Sequence, residues 1–109
     1  MDQMIVTTTP TIEGYRIVKY LGIVRGITVR SRSIVGQFAA SVQSMVGGKI
    51  GTYVALCEET REEAFNEMMK HAQQHGANAV VAMRYDATEL AENMSEVLAY
   101  GTAVVVEPA

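Results

Sequence analysis

The sequence predicts an α+β fold: an antiparallel sheet covered on one face by two helices, in the order β-β-α-α-β-β. Three observations lead there. β-branched, partly alternating segments stand at both ends of the chain. Two stretches with apolar residues at helical spacing fill the middle. Strands and helices do not alternate along the chain, which argues against a doubly wound sheet. At 109 residues the chain suits a single domain, taken as residues 1–109.

The elements follow in order. Residues 5–9 are β-branched and end at Pro10, as a short edge strand does. Gly14 opens a longer strand over residues 15–24, where Gly22 breaks the alternation and marks a bulge or bend. Gly26 punctuates, and residues 27–30 resume the alternation as a second piece of strand. Ser31 or Ser33 can cap a first helix. Its apolar stripe is Ile34, Val35, Phe38, Ala39, Val42, Met45 and Val46, with no charge between Arg32 and Lys49, so burial on more than one side is expected. Gly47-Gly48 ends it. A second, acidic helix spans about residues 53–75, with Leu56, Thr60, Ala64, Met68 and Ala72 near one face and Gly76 as its stop. A third strand begins at residues 79–81 and runs through Met83 and Tyr85. Residues 87–93 are polar and read as a turn, and residues 97–106 form the last strand.

Composition narrows the function classes. Hydrophobic residues make up 49% of the chain and charged residues 19%, which excludes a disordered chain. Charge is scarce for a domain with so much surface to cover, so part of the surface is expected to be covered by other subunits. Net charge is −3 but unevenly placed. In residues 1–54 six cations stand against Asp2 and Glu13, leaving +4; in residues 55–109 three cations stand against ten acids, leaving −7. The basic residues do not cluster and the isoelectric point is about 5.3, which argues against nucleic acid as a partner. Complementary charge between or within subunits is the alternative use. No apolar run approaches the ~18 residues of a membrane span. Asp2 stands where a signal peptide carries its basic region, and with one cysteine the expected location is cytoplasmic.

The inventory for catalysis is thin. There is no dinucleotide fingerprint, no Walker lysine and no nucleophile elbow. Gly47, Gly48 and Gly51 follow a helix rather than a strand, so they read as a tight helix junction and not a phosphate loop. Cys57 has no base in reach and glutamates around it, so an inert, partly buried thiol is expected. His71 and His75 lie four apart, so both rings can face one metal ion, with Glu67 one turn earlier as a third ligand. The same pair also reads as solvent-exposed residues at a helix end, where cationic side chains suit the dipole. Met45 and Met68 read as core filler.

Several segments together resemble one family. They are residues 7–15 (TTTPTIEGY), residues 47–53 (GGKIGTY), residues 61–65 (REEAF), residues 76–80 (GANAV) and residues 101–105 (GTAVV). In order and over nearly the whole chain this is similar to the YbjQ-like family of small bacterial proteins, which carry a heavy-metal-binding label. The resemblance implies a fold like the dodecin subunit and a ring, typically a pentamer. It implies no settled activity and no agreed ligand set. The family's first helix usually alternates arginine and aspartate, where this chain has Gly36-Gln37 and Gln43-Ser44. Its third strand is usually acidic, whereas here Arg84 precedes Asp86.

The expectation is therefore a non-enzymatic homo-oligomeric binding protein, favoured as a pentamer, for a small molecule or an ion. No catalytic or cofactor-binding residue is assigned, and the metal ligands and any cofactor stay open. One alternative is a transition-metal-binding protein using His71, His75 and a glutamate. The other is an enzyme whose site is shared between subunits and built from Arg84, Tyr85, Asp86 or Glu89.

Overall fold

A computed structural model describes residues 3–31, 49–91 and 94–109. Its elements are β1 (Ile5–Val6), β2 (Tyr15–Ser31), α1 (Lys49–Gln74), β3 (Ala79–Ala91) and β4 (Met94–Pro108). They form one four-stranded sheet in the order β1-β3-β4-β2. β4 is antiparallel to both β2 and β3, and β1 is parallel to β3.

This corrects the expected architecture. Among the described residues, one helix and a mixed sheet in the order β-β-α-β-β stand where two helices on an antiparallel, dodecin-like sheet were expected. The expected first helix falls on residues 34–46, outside the described residues. The sheet is mixed because the chain between β1 and β2 doubles back, so both strands run the same way. β1 then lies against β3, with Thr7 N–H on the Val80 carbonyl at 3.0 Å. β2, α1 and β3 make a parallel crossover with β4 inserted between its strands, a split β-α-β unit. A long-range insertion of that kind leaves no alternation in the sequence to betray it.

β2 is one strand of 17 residues rather than two pieces. The expected irregularity at Gly22 is present, since the register with β4 shifts between Tyr20 and Gly22. Gly26 does not interrupt the strand. It is where α1 crosses the sheet: a Cβ there would collide with Ala64 O and Met68 N. β3 and β4 also run further than expected, to Ala91 and from Met94, because polar residues such as Glu89 and Ser95 continue the ladder where nothing requires apolar side chains.

The helix face is the one its spacing predicts. Leu56, Thr60, Ala64, Met68 and Ala72 are all buried, and the Thr60 hydroxyl donates to the Leu56 carbonyl at 2.8 Å. Gly76, with φ 82°, ends the helix in a Schellman arrangement, with Gly76 N–H on Gln73 O and Ala77 N–H on Ala72 O. The core on this side of the sheet adds Val24, Val80, Met83, Ala99 and Ala103. A second cluster, Ala79, Val81, Val104 and Val106, lies on the opposite face and is packed by Ile5, Ile12 and Ile17. Asn78 ties the start of β3 to the end of β4. Its amide donates to the Val106 carbonyl and its carbonyl oxygen accepts from Val106 N–H, both at 2.8 Å.

Candidate functional site

α1 runs diagonally over β2 and brings its last turns to that strand's outer margin. There His71, half-buried, accepts a hydrogen bond at Nδ1 from Arg25 N–H at 3.1 Å. The neutral ring therefore carries its proton on Nε2. His75, one turn on and exposed, places Nδ1 3.0 Å from the His71 carbonyl. A carbonyl only accepts, so His75 Nδ1 carries the proton and Nε2 holds the lone pair. The two rings meet edge to face, 4.7 Å between centroids at 75°.

This geometry serves packing before chelation. A metal bridging the pair would need His71 to give up its tautomer, its Arg25 bond or both. Among the described residues no group of three or more His, Cys, Asp or Glu is disposed to hold a metal ion. The expectation that both histidines are exposed holds for His75 and not for His71, because α1 tilts its C-terminal end onto the strand margin. Glu67 lines the open groove beside Gly26 with Lys70 and His71 without completing a ligand set.

Within one chain, the residues considered for a shared active site divide between the two faces of β3. Neighbours on a strand point to opposite faces. Tyr85 pairs with Ala99 and lies on the helix side, while Arg84 and Asp86 pair with Tyr100 and Leu98 on the other face. Arg84 is occupied with the carbonyls of Thr8 and Met83, both at 2.8 Å. Asp86 accepts from Ala87 N–H at 3.0 Å. Tyr85 lies under Arg61, whose guanidinium carbon is 5.6 Å from the ring centroid. Glu58, Glu62 and Phe65 complete the open groove around it. Desolvation raises the Tyr85 phenol above its ordinary pKa; Arg61 works against this and Glu58 with it. Cys57 is exposed, not partly buried, because it lies off the apolar stripe of α1.

What the sequence did not disclose is a surface. Opposite α1, the face of β2 and β4 beyond Ile17 has no described covering segment. Ile23, Ile27 and Val29 stand on it at 73, 48 and 42% exposure. Arg25, Tyr100 and Arg84 form a cross-strand row over three strands. Strand register alone makes these residues neighbours.

The family model described as "Putative heavy-metal-binding" matches residues 4–107. The chain belongs to this YbjQ-like family. Two uncharacterised UPF0145 relatives agree. One from Solibacter usitatus is 58% identical over 104 residues, 95% of this chain and 93% of that protein. One from Burkholderia thailandensis is 54% identical over 103 residues, 94% and 93%. A crystal structure of a DUF74-family protein of unknown function from Pediococcus pentosaceus matches with a TM-score of 0.62, covering 95% of this chain and 98% of that one. At 15% identity it shows that the YbjQ-like fold is shared and no more. The family description fits a metal-ion ligand in general terms and assigns no residue to it.

Proposed function

We propose that the protein is a single-domain, cytoplasmic, non-enzymatic homo-oligomer that binds a small ligand or ion where its subunits meet. The observation that carries this reading is the open sheet face, where Ile23 stays 73% exposed beside Ile27, Val29 and the Arg25–Tyr100–Arg84 row. Exposed apolar side chains of that size, set around arginines and a tyrosine, have the composition of an interface core rather than of a solvated sheet. A pentamer is the favoured count, by family resemblance alone. Light scattering coupled to gel filtration tests the reading: a stable mass near a multiple of 11.9 kDa is expected, and a monomer at micromolar concentration in physiological salt overturns it.

The family description supports metal binding as a second reading. His75 Nε2 has the free lone pair such a site would start from. With His71 committed to Arg25, titration calorimetry with Zn²⁺ or Ni²⁺ is expected to show only weak binding at this pair. Micromolar affinity that disappears on replacing both His71 and His75 by alanine would establish the metal reading instead.

A further inference from the structure

Among the described residues the sheet has two open margins, and side chains guard each of them selectively. Arg25 N–H goes to His71 and therefore lies outside the β2–β4 ladder. N–H and C=O of one strand residue point the same way and alternate along the strand. The backbone groups of Ile27 and Val29 thus also point outward, with no described partner. At the other margin, Thr9 and Thr7 accept the N–H groups of Ala82 and Met83, so β3 is covered as far as Met83. Beyond it, Tyr85, Ala87 and Glu89 point outward by the same alternation. Arg84 caps the Met83 carbonyl and Asp86 caps Ala87 N–H. Among the described residues each margin thus keeps a short open stretch: Ile27–Val29 on β2, and the groups around Tyr85 and Glu89 on β3. Caps of this kind stop a strand edge from pairing along its whole length.

From this we infer that the open stretch of β2 pairs with the open stretch of β3 on a second copy of this chain, head to tail. Charge selects that occupant. β2 carries Arg16, Lys19, Arg25 and Arg30 and no acid; Arg16 pairs with Glu107 and Arg30 with Glu63, which leaves Lys19 and Arg25 without a described acid. Two β2 margins facing each other would therefore set cation against cation, which is costly across paired strands. The β3 margin bears Asp86 and Glu89 beside Arg84, and Glu58 and Glu62 outnumber Arg61 in the groove at Tyr85. β2 and β3 run in the same direction, both being antiparallel to β4. With the helices of both copies on one side of the shared sheet, the new pair is parallel. A head-to-tail contact closes into a ring when the rotation allows. The inference rests on the proposed homo-oligomer and adds to its open sheet face a backbone contact at the margins, on which assembly depends.

Proline supplies a selective test, because it removes only an outward N–H at these positions. Val29→Pro and Tyr85→Pro should each leave a folded chain, by circular dichroism and urea unfolding, whose mass falls to that of the protomer. Mixed in equal amounts at a concentration where the wild type assembles, each variant offers the margin the other lacks. The mixture should show dimers that grow no further. Hydrogen exchange on the wild-type assembly provides a measurement independent of either variant's folding: the amides of Ile27, Val29 and Tyr85 should be protected. Fast exchange at all three, wild-type mass in either proline variant, or a mixture that stays monomeric overturns the pairing and leaves the homo-oligomer standing. A monomeric wild type overturns both.

Discussion

Single side chains hold this fold at points where the loss is measurable. Asn78 replaces a missing rung of the sheet with two hydrogen bonds to Val106. Asn78→Asp keeps the shape but cannot donate to the Val106 carbonyl, so a loss of about 1–3 kcal/mol is expected in urea unfolding. His71→Ala removes the acceptor for Arg25 N–H and should cost about 0.5–1.5 kcal/mol. Tyr85 gives a pH signature. Its pKa is raised in the folded state, so the native chain holds the phenolic proton more tightly than the unfolded chain does. This contribution is fully present below the ordinary tyrosine value of about 10 and is lost as pH rises through the Tyr85 value. Absorbance titration of wild type against Tyr85→Phe should show the Tyr85 phenol ionising above the ordinary tyrosine value. Ionisation of Tyr85 below the ordinary value of about 10 would contradict the assignment.

At the scale of elements, the contact of α1 with β2 decides what the sheet can be. The helix backbone sits directly on Gly26, so Gly26→Ala has no room unless the whole helix moves. A loss of at least about 1–3 kcal/mol is expected, and urea unfolding checks it. Gly76→Ala tests the helix end separately: it forces an alanine into a left-handed φ at about 1–2 kcal/mol while the helix face is unchanged. These two glycines are both punctuation in the sequence, yet they work differently. Gly76 stops a helix as its position suggests. Gly26 permits close approach inside an unbroken strand, and nothing local distinguishes the two roles.

For the whole molecule, the unequal charge of its margins should govern the course of assembly more than its endpoint. Complementary charge raises encounter rates and selects orientation, whereas apolar burial and backbone pairing hold the product. Raised salt is therefore expected to slow reassembly after dilution, followed by light scattering, and to leave the final mass unchanged. Salt that dissolves the assembly would show the contact to be mainly ionic.

The sequence by itself determined the class of elements, the buried stripe Leu56–Thr60–Ala64–Met68–Ala72, the stop at Gly76 and the family. Each is a local or periodic property, readable over a few turns of chain. The tertiary structure decided the rest. The insertion of β4 between β2 and β3, the use of His71 as an acceptor for Arg25, and the separation of Tyr85 from Arg84 and Asp86 all depend on pairing between residues tens of positions apart. Strand register is set by the packing of a whole face against the helix, and a shift of one residue would turn every side chain to the other side. That is why the histidine pair could be found in the sequence as a spacing, while its job at the edge of β2 could not.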